Sequence, residues 1–213
     1  MILPVPTVAD LREVARTFTA MGDVDRTWLR FVDLTHPAVD LGTPEHRTAL
    51  LRWLNTWGCR IGYPKPGEPA PFDANVLDWW TGWAHRLPTA GLSLLADDDT
   101  DVLGEAYAEL AAIPVRLAPR GRTLSATAAA KSMYALRPTG AMPWDAAIAV
   151  RLHGRRDAGA FAAHLRMGRD WALAVIAEAG VAEADVPALV GRPGISLAKV
   201  LDEYCYLRIT KNA

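Results

Sequence analysis

Asp145 is the one acid between Arg116 and Arg156, and it stands inside an apolar run, Ala141-Met142-Pro143-Trp144-Asp145-Ala146-Ala147-Ile148-Ala149-Val150. The stretch around it is basic. Residues 116–169 carry ten Lys/Arg (Arg116, Arg120, Arg122, Lys131, Arg137, Arg151, Arg155, Arg156, Arg166 and Arg169) against two acids, Asp145 and Asp157. Residues 1–115 hold nine bases and sixteen acids, so a formal net charge of −1 hides a basic middle behind an acidic first half. Charge separated in this way is the usual footprint of a polyanion partner, most often nucleic acid. A lone carboxylate in apolar surroundings, flanked by phosphate-binding charge, points to chemistry on DNA or RNA. The competing reading makes the arginines a solvated face and Asp145 a helix cap.

The elements that must position these residues read as helices. Thr7 caps a helix to about Ala20, and Asp25 starts a short second one. Thr43-Pro44-Glu45 pairs a capping hydroxyl with a proline whose missing N–H costs nothing at a helix start; that helix runs to Gly58. Gly62 to Pro71 is a loop. Asp73 caps a helix through Trp79, Trp80 and Trp83, and Asp101 begins another, with Val102, Leu103, Tyr107, Leu110 and Ile113 on one face. Arg116 to Arg122 is a connection. Helices follow over Leu124–Leu136, from Pro143 or Trp144 to His153-Gly154, and from Asp157 to about Ala179. A short one covers Ala182–Val190. Ile195 to about Leu207 closes the chain, with Tyr204–Ile209 readable as helix or strand. No alternating run demands a sheet, so the expectation is an all-α multi-helix globule. Its 213 residues form a single helical domain, with lobes at 1–115 (acidic) and 116–213 (basic) and a cleft between them.

Composition excludes several classes. Hydrophobic residues make up 51% and charged ones 22%, as in a well-buried globule. No apolar run approaches the length of a membrane span, and Met1-Ile2-Leu3-Pro4-Val5-Pro6 lacks the basic start of a secretion signal. Two distant cysteines, Cys59 and Cys205, form neither a disulfide framework nor a zinc pattern, and a reducing cytoplasm is expected. The five histidines show no pair at helical ligand spacing, so no metal is expected. Phosphate-cradling glycine loops and Gly-x-Ser-x-Gly elbows are absent from the sequence.

The segment Ser125 to Leu152 has a small-residue helix bearing Lys131, a turn at Arg137-Pro138-Thr139-Gly140, and then the step Met142-Pro143-Trp144-Asp145 opening a second apolar helix. This resembles the catalytic segment of helix-hairpin-helix DNA glycosylases, the 8-oxoguanine glycosylase branch in particular. The resemblance covers about 30 residues. It implies that Asp145 is the essential aspartate, which stabilises a sugar cation or activates water. It offers Lys131 as the amine that bifunctional members use. Lys131 lies nearer the aspartate than that amine usually does, and the alternative position, Ala128, carries none. A phosphate contact is therefore the favoured role of Lys131, and a monofunctional enzyme is expected. The family's Leu-Pro-Gly-Val-Gly hairpin is replaced by Leu117-Ala118-Pro119-Arg120-Gly121-Arg122-Thr123-Leu124.

On this reading a modified base is flipped into a pocket walled by aromatic rings. Trp144, Trp79 and Trp80 are the candidates, with Trp57 and Trp83 also in range. Because Trp79 and Trp80 are adjacent on a helix, one of them should be exposed. Arg120, Arg122, Ser125, Thr127 and Arg151 would hold the DNA backbone. DNA is the expected partner of a monomer that needs no cofactor. The base, damaged or of a modified phage type, is not readable. Two further readings stand beside this one: a non-enzymatic helical module binding DNA, RNA or an acidic protein through the same basic lobe, and a degenerate glycosylase fold that keeps DNA binding without the chemistry.

Overall fold

The computed structural model describes residues 3–22, 25–64, 70–117, 119 and 121–211. The fold is all-α. Its helices are α1 (Val8–Ala20), α2 (Arg26–Leu34), α3 (Pro44–Thr56), α4 (Pro71–Trp83), α5 (Asp97–Ala112), α6 (Ala126–Leu136), α7 (Ala146–His153), α8 (Ala158–Ala179), α9 (Val186–Leu189) and α10 (Leu197–Cys205). Tyr206–Thr210 continues α10 as one π-helical turn.

Helix ends follow local chemistry where the capping signal is complete. Thr7 and Asp10 form a reciprocal capping box on α1. Asp157 accepts from Ala160 N at 2.9 Å to start α8, and Gly180 ends it in the left-handed region that suits glycine. Asp73 does not cap α4, which begins two residues earlier at Pro71; its carboxylate is held by Arg47 instead. Likewise α5 starts at Asp97 rather than Asp101, with Asp99 accepting from the Ala96 N–H. The C-terminal stretch is helical. The strand structure lies instead in the connection after α5, where β1 (Pro114–Arg116) and β2 (Arg122–Thr123) pair antiparallel across a bulge.

The buried apolar residues form one cluster from Leu3 to Leu207 that spans both halves of the sequence. Helix α5 of the acidic half packs against α6 and α8 of the basic half. At Gly104 the α5–α8 approach is so close that a Cβ would meet the Ala158 carbonyl oxygen at 2.6 Å. A long-range charge network accompanies this packing. Arg166 pairs with Asp101 at 2.6 Å and Arg169 with Asp97 at 2.8 Å. Arg137 reaches the end of α4 and its Nε donates to the Pro88 carbonyl. The separation of charge along the chain is thus partly cancelled in space.

Fully buried His164 on α8 anchors the step before Asp145. A carbonyl only accepts, so the contact to Pro143 O at 3.4 Å puts the His164 proton on Nε2. Nδ1 then accepts from His153 Nε2 at 3.1 Å. Burial, reinforced by the nearby His153, pushes the His164 pKa from 6.5 down to about 3. Between those values the unfolded chain takes up a proton that the fold refuses. Stability, read from a urea denaturation midpoint, is expected to fall as pH drops from 6.5 towards 3. His164→Gln should flatten that part of the profile relative to the parent. Identical slopes in the two proteins would contradict the assignment.

Candidate active site and arginine cleft

Asp145 is the N-cap of α7, with its backbone extended. Its Oδ1 accepts from Ile148 N at 2.9 Å and its Oδ2 from the Thr210 hydroxyl at 2.8 Å. The half-buried carboxylate is therefore oriented from two sides, by its own helix and by the π turn after α10. Asp145 lines neither the cleft between α3, α4 and the β1–β2 hairpin nor the cavity between α1 and Val190-Gly191.

Lys131 lies on α6 and is brought to the same region. Its Nζ donates to the Trp57 carbonyl at 3.2 Å and stands 5.1 Å from the Trp57 ring centroid. Burial pulls this amine below the ordinary lysine pKa, opposed by Cys59, Asp202 and Asp145 and assisted by Lys199. Asp145, 14 residues on in the sequence, acts on the amine less strongly than Cys59, Asp202 and Lys199 do.

Helix α10 supplies residues that the sequence pattern did not single out. Lys199 pairs with Asp202 one turn on, and Glu203 lies beside them. Arg192 bonds both Glu203 and Asp25. Burial raises the Asp202 carboxyl against the attraction of Lys199 and Lys131, and it raises Glu203 against Lys199 and Arg192. Burial works the other way at Lys199, but Asp202 and Glu203 outweigh it and hold the ammonium above its ordinary value. Lys199 also sits 5.5 Å from the Trp57 ring, so two cations share one aromatic face region. The Trp57 Nε1 is buried with no hydrogen-bond partner among the described residues. The available sequence signal was the run Lys199-Val-Leu-Asp-Glu203, charged on a helix that is otherwise apolar.

The expected base platform needs correction. Trp144 is 1% exposed, packed edge-on against Tyr107 and Phe161 and beside His164, and presents no face to a ligand. Trp79 is buried, and its Nε1 donates to the Ala106 carbonyl at 3.0 Å. Trp80 is the more open of the adjacent pair, with its Nε1 on Asp40. Their hydrogen bonds go to Ala106 and Asp40, outside the Lys131–Asp145 group. Trp57 is the tryptophan that touches Lys131.

The expected backbone contacts divide. Arg120 lies outside the described residues. Arg122 donates to the carbonyls of Arg60 at 2.7 Å and Cys59 at 2.9 Å, so it holds a turn rather than offering a free fork. Ser125 is the N-cap of α6 at φ +82°, with a long 3.5 Å contact to Ala128 N. Such backbone is strained for a residue with a Cβ. Thr127, half-buried, occupies the first turn of α6, and Arg151 is exposed on α7.

A cavity of about 750 Å³ lies between α3, α4 and the hairpin. Arg52, Arg60, Arg116 and Arg122 line it together with Tyr63 and Phe72. Two of these arginines come from the acidic half of the sequence. Cys59 joins the cleft to the other site, because both Lys131 and Arg122 act on its thiol, whose pKa burial nonetheless raises. Among the described residues no cluster of histidine, cysteine and carboxylate side chains could hold a metal ion, and no helix is long and apolar enough to cross a membrane. No protein-family model, curated protein or solved structure matches the chain.

Proposed function

We propose that this chain is a helical DNA glycosylase that excises a modified base, with Asp145 and Lys131 as its reacting pair. The observations that carry the reading are a carboxylate fixed from two sides and a half-buried amine whose pKa burial lowers and on which Asp145 acts electrostatically. A half-buried amine of lowered pKa under the influence of carboxylates is a candidate for chemistry. Cleaving the C1′–N bond develops positive charge on the sugar, and a carboxylate held by two donors stabilises it without reorganising. The lowered pKa makes more of the Lys131 amine neutral at a given pH, which suits a nucleophile. Its half-buried place on the Trp57 carbonyl suits a phosphate contact less well. As the amine bonds to C1′, the base leaves with a proton. The C1′–O4′ bond then opens, O4′ takes the proton that the amine gives up, and the iminium left at C1′ is the species that borohydride reduces. Incubation with DNAs bearing modified bases, scored for free base and alkali-labile sites, tests this.

A second reading is favoured by one observation. Both Asp145 oxygens already accept a hydrogen bond within the fold. A non-enzymatic nucleic-acid-binding module would use the aspartate in this way. It would bind the same DNAs and release nothing.

A further inference from the structure

The geometry points to the arginine cleft as a track for one strand of nucleic acid, with its phosphodiester groups on Arg52, Arg60 and Arg116 and an unpaired base stacked on Tyr63. This deepens the base-excision reading, since a strand held there would be the one from which the base is drawn. All three arginines are exposed, and none forms an ion pair with another described residue. Like charges gathered without counter-charge are costly unless an anion joins them. Among the described residues that line the cleft, the one carboxylate, Asp73, is already occupied by Arg47, with bonds of 2.7 and 3.0 Å.

The cleft is built at the level of the backbone. Arg60 sits at φ +52°, in the left-handed region uncommon for a side-chain-bearing residue. Arg122 holds it there by bonding the Cys59 and Arg60 carbonyls. The Arg60 guanidinium is thereby presented beside the cleft rather than along α3. Tyr63 is 58% exposed at the rim, an aromatic face without a ring partner among the described residues. Cations that follow a backbone and an open aromatic ring together are the recognition set for single strands. A paired base keeps its faces in the stack, so this ring selects an unpaired one. The volume, about 750 Å³, suits a nucleotide-sized segment.

The test is fluorescence anisotropy with a labelled single-stranded oligonucleotide and the duplex of the same sequence, across a salt series. The single strand should bind more tightly than the duplex. The slope of log K against log salt should become shallower by roughly 0.7 for each of Arg52→Ala, Arg60→Ala and Arg116→Ala. Tyr63→Ala should weaken the single strand roughly tenfold and leave the duplex unchanged. Arg30→Ala, an exposed change on α2 away from the cleft, should do neither. Circular dichroism checks that each variant stays folded. Equal affinity for duplex and strand, or a parent slope in the triple arginine variant, would overturn the inference. A mononucleotide or pyrophosphate that displaces the strand at equal phosphate concentration would overturn it too, marking a small-molecule site. Strand binding without base release in any substrate would leave the cleft standing and remove the glycosylase chemistry, so the two failures are distinguishable.

Discussion

Asp145→Asn is expected to lower base release by about 10²–10³-fold while DNA binding is kept. Asparagine caps a helix as well as aspartate does. It offers one carbonyl oxygen to Ile148 N, and its amide retains a polar contact towards Thr210. The substitution therefore leaves α7 in place and removes only the charge. A sugar cation loses its stabilising partner, and phosphates nearby lose a repulsive one. Asp145→Ala serves as the contrast. It should also lose the cap, at a cost of about 1 kcal/mol in stability. Single-turnover release from the best member of a modified-base panel gives the comparison. An Asn variant that releases base at the parent rate would assign Asp145 to capping alone.

Arg192→Met should have the largest effect on stability. Arg192 is 5% exposed, and its guanidinium lies between Glu203, fully buried, and Asp25. Burial alone would lower its pKa, yet the bonds to Glu203 and Asp25 hold it above the ordinary arginine value. Removing one member of a buried network leaves uncompensated charge and typically costs about 3–5 kcal/mol. The midpoint of chemical denaturation reads that loss. Glu203 already has a raised pKa from burial, and without Arg192 it should rise further. A carboxyl raised in the folded state loses stability as pH climbs past its unfolded value. The variant should thus be weaker at neutral than at acid pH, and adding Glu203→Gln should recover part of the loss. A midpoint unchanged in Arg192→Met would show that the network is dispensable. Through Glu203 this network also reaches Lys199 and Asp202.

What could be read in the sequence was what is local. The Thr7 cap, the Asp157-to-Gly180 span of α8 and the position of Asp145 at the start of α7 depend on residues within one helical turn. Starts were misplaced where a carboxylate had a distant partner. Asp73 looked like a cap, but its hydrogen-bonding capacity goes to Arg47, 26 residues away. The basic middle was legible as charge and misleading as surface. Arg166 and Arg169 are matched by Asp101 and Asp97 across 65 and 72 residues, and no periodicity records such pairs. For the same reason Arg52 and Arg60, from the acidic half, were not seen to join Arg116. The tryptophans show a further limit. Helical spacing cannot distinguish Trp144, sealed among Tyr107 and Phe161, from Trp57, which meets Lys131 at the end of α3. Lys199, Asp202 and Thr210 enter the site only because α10 and its π turn fold back against α6 and α7.

The central claim is that Asp145 and Lys131 act together on a sugar carbon. Trapping with borohydride during incubation with a panel of modified-base DNAs tests it most directly. The account predicts a covalent protein–DNA adduct that peptide mapping places on Lys131, free base released in step with it, and no adduct from Lys131→Ala. A parent protein that binds these DNAs yet yields neither adduct nor free base from any of them would contradict it.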